Sequence, residues 1–179
     1  MRIPVFFICF IVFVLWFRVK TKQSKSESVW DEEFWEKERQ ANFTRKKDIS
    51  DLKFLEIDVS KLPFSDSADG EEEQLQSEVK RLSSEKLLDL SGYTNSDIKI
   101  EFGQVNFDEL SEYDQNFQLL HRALDRWGVY LFEQGDCSRS RQILEYALSL
   151  GSDISSSYVT LGKIALQNDD LERVQELIA

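Results

Sequence analysis

YDQNFQLLHRALDRWGVYLFEQGDCSRSRQILEYALSLGSDISSSYVTLGKIALQNDDLERVQELIA, residues 113–179, is the stretch whose reading decides the fold. Sliding it against itself by 34 residues lays Trp127-Gly128 over Leu161-Gly162, Leu131 over Ala165, Asp136 over Asp170, Ser140 over Val174 and Leu144 over Ile178. Large, small and turn-forming positions coincide, the mark of a repeated supersecondary unit. Each unit predicts two antiparallel helices. A large residue beside Gly lets two backbones approach, and a turn such as Gln134-Gly135-Asp136 separates them. Ser140 and Val174 are expected to face the Gly of their own unit.

Over residues 121–179 this spacing resembles the tetratricopeptide repeat, whose 34-residue units carry a large residue and Gly in the first helix and small residues at crossing points. In the first unit Leu124, Trp127, Gly128, Leu131, Gly135, Asp136, Leu144 and Ala147 fit, while Ser140 stands where Ala is usual. In the second, Tyr158, Leu161, Gly162, Ala165, Asp170, Leu171 and Ile178 fit; Asp169 replaces the turn Gly, and Ser152 stands where Pro is frequent. The resemblance implies a concave face built from the first helix of each unit. The residues mapping to it are Arg122, Asp125, Val129, Phe132 and Glu133, then Ser156, Val159, Lys163, Leu166 and Gln167. It implies another protein or peptide as partner. The subclass that grips a chaperone's terminal carboxylate uses Lys and Asn where this chain has Asp125 and Val129, which disfavours that partner class. Solenoids need about three units or a cap. Val174, Leu177 and Ile178 therefore predict self-association or partner docking through the last helix, while residues 72–90 and 97–105 are expected to cover the other end.

Upstream of the repeats, residues 74–112 read as a capping helix and a connecting segment. Leu75, Val79, Leu82, Leu87 and Leu90 fall at helical intervals within 72–90, and Ser91-Gly92 is the expected stop. Residues 65–73, SDSADGEEE, are acidic and small and mark a linker. Residues 26–64 hold a juxtamembrane helix over 27–40, with Trp30, Phe34 and Trp35 clustered, and an extended segment. Leu55, Ile57 and Val59 in 52–59, and Ile98, Ile100 and Phe102 in 97–102, alternate and predict two strands that pair.

Residues 3–17, IPVFFICFIVFVLWF, carry no charge, and with Val19 beyond a snorkelling Arg18 they predict a short membrane span over 3–19. Arg18, Lys20, Lys22 and Lys25 follow it, so residues 1–25 read as a membrane anchor with a basic flank. The cation bias places the body in the cytoplasm and the protein in the cell membrane as a single-pass chain. The expected fold is thus mainly α: a transmembrane helix, a minor strand-like middle region, and a helical-hairpin module over 113–179.

Charge and composition narrow the chemistry. The 179 residues hold 22 Lys and Arg against 33 Asp and Glu, a net charge of -11, which argues against a nucleic-acid partner. Two Cys supply no disulfide framework, and His121 is the only imidazole. There is no phosphate loop, dinucleotide fingerprint or metal-ligand spacing, so no cofactor is implied and catalysis is not expected. The functional expectation is a membrane-anchored, protein-binding scaffold or adaptor. The alternative is a non-catalytic accessory subunit of a membrane protein complex.

Overall fold

The computed structural model describes residues 5–66 and 68–178, and among these the side chains outside 5–8 and 19–31. The helices are α1 (Val5–Asn42), α2 (Gly70–Ser83), α3 (Asn95–Phe102), α4 (Phe107–Glu133), α5 (Cys137–Ser149), α6 (Ser155–Gln167) and α7 (Leu171–Ile178). Short 3-10 turns occupy Val59–Lys61 and Gln104–Asn106, and no strand occurs among the described residues. Two compact units form: residues up to Ile49 with Tyr93–Phe107, and Ser50–Gly92 with the residues from Asp108 onward.

In the first unit the end of α1 packs on α3. Lys37 Nζ lies 2.8 Å from Asp97 Oδ1, Lys99 Nζ donates to Asn42 Oδ1 at 2.9 Å, and the Ser96 hydroxyl donates to Glu38. Ala41 is fully buried, and Ile98 is buried on α3. Asn106 Nδ2 donates to the carbonyls of Lys47 and Phe102, tying the chain after α1 to the end of α3.

The membrane anchor read from residues 3–19 does not stand. Among the described residues no helix is long and apolar enough to cross a membrane. The thirteen residues from Val5 to Phe17 span about 20 Å at 1.5 Å per residue, short of a ~30 Å hydrocarbon core, and Arg18, Lys20 and Lys22 follow at once. Ile3 and Pro4 lie outside the described residues. The single-pass cell-membrane assignment, the cytoplasmic orientation of the body and the membrane as a partner rested on that span and fall with it. Instead α1 is one unbroken helix of 38 residues that takes in the expected helix over 27–40. Phe10, Phe13, Leu15, Trp16 and Phe17 are exposed on it, as are Phe34 and Trp35, whose rings meet edge to face at 5.4 Å.

The paired strands expected over 52–59 and 97–102 are also absent. Residues 97–102 belong to α3, because Thr94 and Asp97 form a capping box: Thr94 accepts from the Asp97 amide, and Asp97 accepts from the Thr94 amide. Two orphan donors are satisfied at once, and a helix start wins over alternation. Residues 52–58 form neither helix nor strand, and Val59 opens the 3-10 turn. In the second unit the chain from Asp58 to Pro63 runs along α5, meeting Tyr146, Gln142 and Arg139, which succeed one another by about one helical turn. The Asp58 amide donates to the Tyr146 hydroxyl at 3.0 Å, Gln142 Nε2 donates to the Lys61 carbonyl at 2.8 Å, and Arg139 Nη2 donates to the Pro63 carbonyl at 3.2 Å. Side chains of α5 hold this part of the strap, and just before it the Leu55 amide donates to the Leu87 carbonyl at 2.9 Å.

The core of the second unit gathers Val79 and Leu82 of α2, Phe117, Leu120, Leu124, Trp127 and Leu131 of α4, and Ile143 and Ala147 of α5. Leu62 and Leu87 join it from the chain on either side of α2, with Leu55, Ile57 and Phe64 packed at its edge. Helix α2 ends at Ser83, earlier than its Leu spacing predicts. Ser83 and Ser84 turn their hydroxyls back onto the Val79 and Arg81 carbonyls, and Leu87, Leu88 and Leu90 are buried from an irregular segment.

The offset of 34 residues reappears as hydrogen bonds. The Asp136 amide closes on the Leu131 carbonyl and the Asp170 amide on the Ala165 carbonyl, each at 2.9 Å. Asp136 then accepts from the Arg139 amide, and Asp170 from the Arg173 amide. At the turn itself Gly135 has φ +85° and Asp169 has φ +55°, so an aspartate takes the left-handed place of the first turn's glycine.

Candidate functional site

Helices α4 and α6 carry the ten residues that the sequence assigns to a binding face. Asp125 joins the two: it accepts from the hydroxyls of Ser156 and Ser157, each at 2.7 Å. Two turns further along α4, the Phe132 ring lies 6.0 Å from Lys163 Nζ, within reach of a cation–π contact. Val159 and Leu166, each 55% exposed, flank Lys163 on α6, and Arg122 and Glu133 are exposed on α4. Gln167 stands apart from these. Its Oε1 accepts from the Cys137 thiol at the start of α5, which puts it at the turn end of the helices.

Val129, Asp125, Glu133 and Ser156 also line a groove of about 490 Å³, whose other wall is α2, with Glu71, Gln74, Leu75 and Glu78. Arg126 and Tyr130 complete it. The sequence reading missed α2 as a wall, although Glu71, Leu75 and Glu78 succeed one another at helical spacing. That reading took Glu71–Glu73 as linker, whereas the three form the first turn of α2, where carboxylates favour the positive end of the helix dipole.

The groove is set by what lies beneath it. Asp69 caps α2 by accepting from the Glu72 amide at 2.8 Å, and the Tyr130 hydroxyl donates to its other oxygen at 2.6 Å. The amide bond is the main reason that the Asp69 carboxyl is held below its ordinary range, with Tyr130 next. The same hydrogen bond pushes the Tyr130 phenol up to about 12, so at neutral pH the pair is a carboxylate and a neutral phenol. Deeper, Glu72 accepts from Arg139, from Gln76 Nε2 at 2.8 Å and, at 3.4 Å, from the Trp127 indole. One buried carboxylate thus connects α2, α4 and α5.

His121 lies away from both surfaces. It is 4% exposed on α4, with its ring centroid 4.2 Å from that of Phe117 and with Nε2 lacking a hydrogen-bond partner. Burial pushes its pKa down, against the pull of Asp89 and Asp153. Among the described residues no group of three or more His, Cys, Asp or Glu side chains is placed to hold a metal ion.

Comparison of the chain with family models, with curated proteins and with solved structures gives no match.

Proposed function

We propose that this chain is a protein-binding scaffold or adaptor whose working part is a short tetratricopeptide-like stack of helices, and that it binds rather than transforms its partner. The observation that carries this reading is the α4–α6 face. Asp125 with Ser156, and Phe132 with Lys163, form two polar or charged bridges, and Val159 and Leu166 are left exposed beside them. Apolar side chains interleaved with charged ones make a surface suited to a peptide or a helix of another protein.

The test is crosslinking capture by the full-length chain and by a variant with Val159→Glu and Leu166→Glu. Both positions are surface-exposed, so the variant is expected to fold and to lose most of its captured partners. An unchanged set of partners would remove the support for this face.

A second reading is a non-catalytic subunit of a larger protein assembly. The exposed apolar run on α1 favours it, because Phe10, Val12, Phe13, Leu15, Trp16 and Phe17 are each at least 55% exposed. Removing α1 residues up to Phe17 separates the two readings: continued capture supports the scaffold, and loss of association supports the assembly subunit.

A further inference from the structure

We infer that the groove between α2 and α4 takes a lysine- or arginine-rich segment of a partner protein, anchored by one apolar side chain. The inference rests on the protein-binding reading above and names the chemistry of the partner.

Its first support is charge. The lining holds four carboxylates, Glu71, Glu78, Asp125 and Glu133, against the single guanidinium of Arg126. Arg126 is committed to Glu78, with Nη2 and Oε2 2.6 Å apart. Asp125 accepts from two serine hydroxyls. Glu71 and Glu133 are exposed and carry no ion pair among the described residues. They are the positions where an incoming cation gains most. Asp69, charged beside Tyr130, adds to the same field. A polyanion is repelled from this groove.

Shape gives the second support. Leu75, Val129 and Tyr130 are half-buried and provide an apolar floor between the carboxylates. About 490 Å³ lies within the ~300–1,000 Å³ usual for a binding cleft. Along α2 the lining runs from Glu71 to Glu78 and along α4 from Asp125 to Glu133, roughly 10–12 Å at 1.5 Å per residue. That length matches three or four extended residues at ~3.3 Å each. One apolar side chain on the floor and a cation to either side fit it.

The experiment measures fluorescence anisotropy of the full-length chain with three labelled synthetic peptides. One has Leu between flanking Lys and Arg residues, one has Glu at every cationic position, and one has Ser for Leu. The basic leucine peptide is expected to bind with an affinity that falls as salt rises. The Glu71→Lys, Glu133→Lys double variant should weaken it about tenfold or more, because both carboxylates turn repulsive. Circular dichroism of that variant should show a folded chain melting only a few degrees below the parent, since both side chains are exposed and only Glu71, at the start of α2, loses a favourable place on the helix dipole. The Ser peptide is expected to bind more weakly, and the Glu peptide not at all.

Equal binding of the basic and acidic peptides, no binding of the basic one, or indifference to the double substitution would overturn the inference. So would a concentration-dependent dimer that the double substitution breaks, for then the occupant is a second copy of this chain. The Val159→Glu, Leu166→Glu variant keeps the two ideas apart. Loss of partner capture in it, with peptide binding absent from the parent, sinks the groove and leaves the broader reading standing; unchanged capture together with groove-dependent peptide binding does the reverse.

Discussion

Gly128 and Gly162 hold equivalent places 34 residues apart, yet only one of them faces a neighbour. A Cβ on Gly128 would lie 2.4 Å from Leu144 Cδ2 and 2.5 Å from Cγ, and Leu144 is fully buried with nowhere to retreat. Around Gly162 nothing comes within 4 Å. Gly128→Ala should therefore destabilise the chain by about 1–2 kcal/mol net, overpacking outweighing the gain in helix propensity. Gly162→Ala should be neutral or stabilising by up to about 1 kcal/mol. Urea denaturation of the two variants checks both, and equal effects would contradict the packing described for Leu144. Leu144 fills the space beside this glycine, and Ser140, expected to face it, donates its hydroxyl to the Gly128 carbonyl at 2.7 Å.

The buried carboxylate of Glu72 is a second residue on which much depends. Glu72→Ala leaves Arg139, Gln76 and the Trp127 indole without their shared acceptor, and Arg139 is only 26% exposed. The expected loss is about 2 kcal/mol by the same measurement, because the buried Trp127 indole and Gln76 amide lose a charged acceptor while Arg139 keeps the Pro63 carbonyl and Asp136.

At the scale of elements, α3 is the helix whose existence depends most on its first turn. Its eight residues are too few to be stable alone, and the capping box and the Lys37 ion pair start it. Asp97 is lowered to about 2, first by the hydrogen bond from Lys37 and then by Thr94. Its folded value lies below the ordinary 3.8, so its contribution is fully present above about pH 4 and is lost as pH falls toward 2. Backbone chemical shifts of Asn95–Phe102 should keep helical values at pH 5 and lose them toward pH 2. In Asp97→Asn they should be weakened already at pH 5 and flat across that range.

Elements also show what a sequence can and cannot disclose. The hairpins of α4 to α7 were legible because large, small and turn residues recur at one spacing, and that spacing maps directly onto backbone hydrogen bonds. The strap over 52–64 was half legible: Leu55 and Ile57 do point to the core, but alternation alone does not say whether a strand or a helix lies opposite. For 97–102 the capping pair Thr94 and Asp97 was the stronger signal, and the alternating Ile98, Ile100 and Phe102 masked it. The groove was legible on its α4 side only. On the other side a helix within 72–90 was expected to cover the end of the repeats, as Val79 and Leu82 do in the core, but its first turn was read as linker, and that Glu71, Leu75 and Glu78 line a groove with α4 was not read.

For the molecule as a whole, His121 couples the second unit to pH. Burial lowers its pKa beneath the ordinary 6.5, and Asp89 and Asp153 oppose this without reversing it. The unfolded chain then binds the proton more readily than the folded one, so stability is full above about pH 6.5 and declines as pH falls through the folded value. Urea midpoints should drop between pH 7.5 and pH 5.5, and His121→Leu should remove most of that slope. A slope that survives the substitution would assign it to carboxylates instead.

The sparse burial of the last helix has a thermodynamic consequence. Helix α7 packs on α6 but buries no residue, Leu171 and Ile178 are 64% and 81% exposed, and Arg173 ties it to Glu145 on α5. A ligand that seats against α6 and α7 would take their exposed apolar side chains, Val159, Leu166, Leu171 and Ile178, out of water, so calorimetry of such an association would record a negative heat-capacity change that grows with the area covered.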